Sequence, residues 1–139
     1  MPPPRVLGLD LGTRRVGVAV SAGNLATPYS VLERSEDRAT DHAAIAALVD
    51  ELGAERVVVG LPLSLDGKMG PAARAAADEA EVLGDVLGVP VETYDERLTT
   101  VTADRSLSSL GLSGQARRRV VDKVAAAVML QAWLDRSSS

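Results

Sequence analysis

Cysteine and phenylalanine are absent from this chain of 139 residues, which also has only one histidine, one tryptophan and two tyrosines. Without cysteine there can be no disulfide, no thiol nucleophile and no thiolate metal site, and this fits a reducing compartment. Because aromatic side chains are so few, the core has to be built from valine, leucine and alanine. This composition is typical of an α/β domain in which helices pack closely on a buried sheet.

Long hydrophobic segments are missing as well. The first apolar run ends at Asp10 and is too short for a signal-peptide core or a membrane span. We therefore predict a cytoplasmic protein without a membrane partner. The length fits one domain over residues 1–136, and the serines at 137–139 are predicted to form a disordered tail.

The charge is acidic in total but unevenly distributed. A formal net charge of −4 disfavours a broad nucleic-acid surface, since phosphate binding depends on positive charge. Basic residues are nevertheless concentrated at Arg14 and Arg15 and again at 117–119 with Lys123. A local basic rim is thus compatible with the acidic total. One group of acids predicts a solvated helix face: Asp78, Glu79, Glu81 and Asp85.

Apolar patterning predicts a mixed sheet with helices on both faces. Five β-branched or apolar runs are predicted strands: 5–10, 16–21, 28–33, 56–61 and 89–94. Three segments with helical spacing are predicted helices: 40–52, 72–87 and 115–135. The last carries an apolar stripe through Val121, Val124, Val128 and Met129. Residues 99–110 could be helical, and 111–114 resemble a flexible turn.

The connections between these segments indicate the strand directions. The short link between the first two strands implies an antiparallel hairpin, and the almost fully apolar fourth strand is expected to lie parallel to the first. Thr40 and Asp41 are candidate N-caps of the first helix, which Gly53 should end. The strand order 3-2-1-4-5 accommodates this pattern.

Two acids lie in unusually apolar surroundings. Asp10 ends an otherwise apolar strand and could bind a metal ion or cap the following turn. Asp122 lies within the most apolar helix, where an unpaired carboxylate would be costly. A metal ion would compensate for that charge, and so would a salt bridge to Arg118 or Arg119 one turn earlier.

A third acid follows the fifth strand, where α/β sheets place their ligand crevices. Asp95 and Glu96 are adjacent, and because side chains alternate across a strand only one should face a given site. The strand pattern alone leaves both open. The alternative is an exposed turn in which Arg97 neutralises one of the acids.

The predicted topology could bring the three acids together. Three carboxylates about 5 Å apart repel one another by about 3 kcal/mol per pair at an effective dielectric constant near 20, so such a cluster favours a cation. Oxygen ligands without cysteine point to Mg²⁺ or Mn²⁺ and not to zinc. The lone His42 is expected at a surface or helix end, and no organic cofactor is expected.

Four ordered segments of the chain resemble the YqgF/RuvX family, RNase H-like proteins described as Holliday junction resolvases and as pre-16S rRNA nucleases. They are Gly8 to Ala19 (GLDLGTRRVGVA), Val59 to Gly67 (VGLPLSLDG), Asp95 to Thr100 (DERLTT) and Val121 to Ala126 (VDKVAA). The resemblance implies an RNase H-like three-layer α/β/α fold. It also assigns the metal-binding and catalytic acids to Asp10, Asp122 and, in preference to Asp95, Glu96.

The function implied by the resemblance is phosphodiester hydrolysis with two Mg²⁺ or Mn²⁺ ions. The expected partner is structured RNA or branched DNA, cut by a monomer or, for a junction, by a symmetric homodimer. Five basic residues are candidate phosphate contacts or simply exposed charges: Arg14, Arg15, Lys68, Arg97 and Lys123.

Two other functions remain as alternatives. The Asp10-Leu11-Gly12-Thr13 segment also resembles the first phosphate-binding hairpin of actin-like and sugar-kinase-like ATP-binding proteins. Those proteins enclose the nucleotide between two lobes, whereas this chain has the length of one. The second alternative is a non-catalytic RNase H-like binding module, whose function would not depend on Asp10.

Overall fold

The computed structural model describes residues 4–64, 66–98 and 114–136. Five strands form one sheet: β1 Arg5–Leu11, β2 Arg15–Ala22, β3 Leu25–Glu33, β4 Ala54–Leu61 and β5 Val91–Asp95. The helices in these ranges are α1 Arg38–Leu52, α2 Pro71–Val86 and α3 Gly114–Arg136. A short 3-10 turn, Glu96–Leu98, follows β5. The predicted helical segment 99–110, the turn residues up to 113 and the predicted tail lie outside the described residues.

The sheet has the predicted order β3-β2-β1-β4-β5. β1 is antiparallel to β2, and β2 is antiparallel to β3, as the short connections require. β4 is parallel to both β1 and β5. The predicted mixed sheet is therefore confirmed, although β3 begins at Leu25, three residues earlier than expected, because a tight turn at Gly23 joins it to β2.

Helices cover both faces of the sheet. On one face, Leu7 and Leu9 pack with Ile45 of α1 and Leu83 of α2. On the other, Val6 packs against α3. Successive side chains of a strand alternate between faces, so Asp10 shares the α3 face with Val6. The three-layer α/β/α fold is thus confirmed.

The apolar stripe of α3 differs from the prediction. Met129 is buried as expected, but Val121, Val124 and Val128 are only half-buried. Among its described side chains, the buried ones are Ala126, Ala127, Met129, Leu130 and Trp133. Within the described ranges, none of the helices combines the length and apolarity needed to cross a bilayer.

The start of α1 also differs from the prediction. Asp37 is the N-cap, and its side chain accepts a hydrogen bond from the Ala39 amide at 3.3 Å. Asp41 is buried and accepts hydrogen bonds from both the amide and the hydroxyl of Ser35, each at 2.8 Å. Asp41 therefore ties the preceding segment to the helix, and the prediction of Thr40 or Asp41 as N-cap was wrong.

His42 and Glu79 are both buried, whereas Glu79 was predicted on a solvated helix face and His42 at a surface or helix end. The His42 Nε2 atom lies 2.8 Å from Glu79 Oε2, and Arg34 and Arg38 also bind this carboxylate. Helical spacing located both residues correctly in sequence. It could not show that α1 and α2 would bring them together between the helices.

Glu79 should make the fold sensitive to acid. Burial alone would raise the pKa of Glu79, but hydrogen bonds from Arg34 and His42 outweigh it and lower the pKa from 4.5 to about 2. A carboxylate with a lowered pKa contributes stability above its unfolded-state pKa and loses it as the pH falls towards the folded-state value. From about pH 5 to about pH 2 the loss amounts to about 3 kcal/mol.

Urea denaturation across this pH range tests that expectation. The unfolding free energy of the wild type should fall by about 3 kcal/mol more than that of Glu79→Gln. Glu81→Gln is a matched control because Glu81 is exposed on the same helix. Parallel pH curves for the wild type and Glu79→Gln would contradict the role of the Glu79 carboxylate.

Candidate active site

Asp10 lies near the end of the central strand β1 and is half-buried. It is the cross-strand partner of Gly17 on β2. Both residues belong to the α3 face of the sheet by strand alternation, as does Gly60 on β4, two residues after Val58. Leu9 and Val59 are paired, so Gly60 lies at the level of Asp10.

Asp122 lies on α3 directly over Gly17. A Cβ atom at position 17 would overlap the backbone oxygen of Asp122 and approach the Lys123 amide nitrogen at 3.2 Å. The helix therefore crosses β2 at backbone contact, which only glycine permits at this point. This close crossing places Asp122 beside Asp10.

The Asp122 carboxylate is bound by Arg15 of β2. Arg15 Nε donates to Asp122 Oδ2 at 2.6 Å, and the two side chains are 16% and 25% exposed. This hydrogen bond raises the pKa of Arg15. A salt bridge at Asp122 is thus present, with a cation from 107 residues earlier in the chain. The predicted partners Arg118 and Arg119 lie outside the part of the chain whose side chains the structure describes.

The side chains of Asp95 and Glu96, at the end of β5, contact different parts of the protein. The Glu96 side chain covers Gly60, with its Cγ and Cδ atoms each 3.0 Å from where a Cβ would stand. Asp95 is instead held by Arg97, whose Nη2 lies 2.6 Å from Asp95 Oδ2. That contact lowers the pKa of Asp95. The Glu96 side chain therefore contacts the strand next to Asp10, while Asp95 is engaged locally.

The three candidate acids thus flank one row of backbone across β2, β1 and β4. Asp122 lies over Gly17, Asp10 is the next residue along the row, and Glu96 covers Gly60. Their carboxylates do not yet form a closed cage. In the described part of the chain, no three histidine, aspartate or glutamate side chains are grouped closely enough to hold a metal ion.

The basic residues predicted to contact phosphate differ in solvent exposure and in whether they are paired with an acid. Arg14 is exposed in the β1–β2 turn, and the Lys68 side chain is 85% exposed in the loop after β4. Lys123 is half-buried on α3. Arg15 and Arg97 are each engaged with an aspartate, and the Arg97 guanidinium also approaches Gly67.

Sequence reasoning did not identify Gly17 as part of the site. Gly60 of β4 is the second glycine of the site. In the structure these two glycines leave room for Asp122 and Glu96. The sequence did hold an indication of both positions. Each glycine lies inside a β-branched run, VGVAV or VVVGL, and a glycine within a strand often marks a place where another part of the chain or a ligand approaches the backbone closely.

The fold matches that of the RuvC nucleases. Thermus thermophilus RuvC in complex with a Holliday junction superposes with a TM-score of 0.60, covering 99% of this chain and 97% of that chain at 21% identity. A second Thermus thermophilus RuvC structure gives a TM-score of 0.55 at 18% identity, covering 96% of each chain. The architecture is therefore RNase H-like.

The family can be assigned more narrowly. The sequence model of the RuvX family, described as a Holliday junction resolvase, matches residues 4–136, and the chain belongs to this family. A protein of Myxococcus xanthus named "Putative pre-16S rRNA nuclease" is 46% identical over 132 residues, covering 94% of this chain and 87% of the relative. One of the same name from Anaeromyxobacter dehalogenans is 48% identical over 135 residues, covering 95% and 97%.

Family membership confirms the resemblance drawn from the four motifs. It gives the chain a nuclease role, that of a hydrolase acting on phosphodiester bonds. It does not favour the ATP-binding or purely non-catalytic alternatives.

Proposed function

We propose that this protein is a divalent-metal-dependent nuclease whose metal ligands are Asp10, Glu96 and Asp122. The observation that carries the proposal is the row formed by these acids across three neighbouring strands. On the α3 face, Gly17 leaves space for the helix backbone at Asp122, and Gly60 leaves space for the Glu96 side chain. A purely structural role would not require an acid at each of three neighbouring positions along this row.

The donor set fits Mg²⁺ or Mn²⁺. All three side chains offer carboxylate oxygens, which these hard cations prefer, and the chain has no cysteine to favour a softer metal. The only histidine, His42, is bound to Glu79 on the other face of the sheet. When bound, two such ions would activate a water molecule and stabilise the charge that develops on the phosphate.

The residues of the chain position the substrate and the ligands. Asp10 is fixed by β1, which is hydrogen-bonded on both sides to β2 and β4. Exposed Arg14 and Lys68 are placed to contact backbone phosphates at the rim, and Lys123 to do so from α3. Arg15 neutralises Asp122 here, and a cation that binds Asp122 would free this guanidinium for a phosphate.

The preferred substrate in this proposal is precursor 16S rRNA. Supporting this choice, the curated relatives of that name are 46–48% identical over nearly the whole chain, whereas the RuvC bound to a junction is 21% identical. A cytoplasmic location follows from this substrate.

Cleavage assays with the wild-type protein test the proposal. We expect an end-labelled RNA carrying the 5′ leader of 16S rRNA to be cut with Mg²⁺ or Mn²⁺. Chelation with EDTA should abolish cleavage, and excess metal should restore it, because carboxylates alone cannot activate the water. A four-way DNA junction of equal length is the matched control.

Each result has a distinct meaning. Cleavage that persists in EDTA would contradict the metal site. Cutting of the junction but not of the RNA would overturn the preferred substrate while leaving the nuclease assignment intact. Gel filtration with and without each substrate would show whether a dimer forms on the junction, as two symmetric cuts would require.

A further inference from the structure

We propose that Arg34, which lies just after β3, is a positioning residue that fixes the active-site turn between β1 and β2. This inference rests on the proposed function, because the turn carries Asp10 at one end and Arg15 at the other. The Arg34 side chain binds Glu79 of α2, on the face of the sheet opposite α3. It therefore acts through the backbone of the turn and not on the substrate.

Arg34 binds two carbonyl groups of this turn. Its Nε atom donates to the Gly12 oxygen at 3.0 Å, and its backbone amide donates to the Arg14 oxygen at 2.8 Å. The Gly12 amide in turn lies 3.1 Å from the Asp10 oxygen and 3.0 Å from the Arg15 oxygen. The Arg34 guanidinium thus holds the Gly12 carbonyl, and the Gly12 amide is bonded to the residues at both ends of the turn.

That guanidinium is held in a buried ionic cluster. Its Nη1 and Nη2 atoms bind the two Glu79 oxygens at 2.6 and 2.7 Å, a bidentate arrangement that fixes the plane of the group. His42 and Arg38 bind the same carboxylate at 2.8 and 2.7 Å. The Arg34 and Glu79 side chains are only 7% and 8% exposed, so both helices α1 and α2 anchor the contact to Gly12.

Fold stability alone does not explain this cluster. Buried ion pairs can often be replaced by neutral side chains of similar size without loss of stability. We infer instead that the buried Arg34 fixes the position of the Gly12 carbonyl through its Nε–H group. Since catalysis is sensitive to displacements of about 1 Å, a fixed turn beside Asp10 would have a direct effect on rate.

Arg34→Lys is the first test. Lysine keeps the charge opposite Glu79 but cannot bind Glu79 bidentately and also donate to Gly12. We expect kcat for RNA cleavage to fall about 10-fold or more with KM within about twofold, as for a loss confined to the transition state. Amide hydrogen exchange at Gly12 should accelerate by about 10-fold or more, because its protecting turn opens more often.

Two further variants separate positioning from stability. Arg34→Met combined with Glu79→Gln removes both charges of the Arg34–Glu79 pair and leaves an amide for His42 and Arg38. Asp41, whose Oδ2 lies 3.6 Å from Arg34 Nη1, keeps its hydrogen bonds from the Ser35 amide and hydroxyl. The double variant should unfold close to the wild-type temperature yet show the same loss of kcat and of Gly12 protection. Arg38→Met is the matched control, because Arg38 binds Glu79 through a side chain that is 61% exposed, and it should keep both properties.

The outcomes are distinguishable. Unchanged Gly12 exchange in Arg34→Lys, with or without a loss of activity, would overturn the inference, because the route through the turn would be missing. Faster exchange with unchanged kcat would also overturn it. If the wild-type protein cleaved neither substrate, the proposed function would fail, whereas the exchange rates would still show whether Arg34 fixes the turn.

Discussion

Asp10→Asn is expected to lower kcat for metal-dependent cleavage by about 1000-fold or more, equivalent to about 4 kcal/mol of transition-state stabilisation. Asparagine has the same shape and keeps one carbonyl oxygen, but it lacks the charge that attracts a divalent cation. Because Asp10 is only half-buried at the end of β1, the variant should fold normally. Thermal unfolding and Mn²⁺ titration calorimetry would accompany the cleavage assay.

The other two acids provide comparison and control. Glu96→Gln and Asp122→Asn should also lower both metal affinity and kcat. Asp95→Asn is the matched control for Glu96→Gln: the residues are adjacent, but the Asp95 carboxylate is held by Arg97. We expect Asp95→Asn to retain activity within about threefold, as for most exposed charge pairs. If Asp95→Asn were as inactive as Glu96→Gln, the wrong acid would have been assigned.

Arg15→Gln would test the ion pair with Asp122 in the same experiments. The present contact at 2.6 Å occupies an oxygen that the proposed site needs. If Arg15 competes with the cation, its removal should strengthen Mn²⁺ binding while weakening RNA binding. Weaker Mn²⁺ binding would mean that Arg15 instead orients Asp122 for the metal.

The sequence was sufficient for the sheet because its patterns are local. The short link after Asp10 required an antiparallel hairpin, and the apolar run at 56–61 required a strand covered on both faces. Family motifs then supplied what periodicity could not, namely the preference for Glu96 over Asp95. In the structure Arg97 binds the Asp95 carboxylate and the Glu96 side chain lies over Gly60, while the preference itself stays a prediction.

Contacts between distant segments were not predictable in the same way. Arg118 and Arg119 were expected partners of Asp122 because they lie one helical turn away. Arg15, which binds Asp122 in the structure, lies 107 residues earlier, and no local pattern pointed to it. Glu79 lies in an acidic stretch that resembled a solvated face, and only the packing of α1 on α2 reveals that it is buried. Charge patterns along a helix do not identify which positions a neighbouring helix will cover.

The second large effect is expected at Gly17, where α3 crosses the sheet. A Cβ atom there would overlap the backbone oxygen of Asp122, and backbone cannot rotate away as a side chain can. Gly17→Ala should therefore force α3 away from β2 and lower the free energy of unfolding by about 3 kcal/mol, the upper part of the usual range for overpacking. Asp122 would move with the helix, so cleavage should also be lost.

Gly60→Ala is the comparison for Gly17→Ala, because the new methyl group would contact a side chain and not backbone. The three atoms nearest to the methyl group would all belong to the Glu96 side chain, which can rotate. Urea denaturation should show near-wild-type stability for Gly60→Ala, with cleavage reduced about 10-fold or more because a ligand is displaced. Gly88→Ala, where a Cβ would meet nothing within 4 Å, is the neutral control. Wild-type stability and activity in both Gly17→Ala and Gly60→Ala would contradict the close packing of Asp122 and Glu96 around Asp10, and with it the proposed metal site.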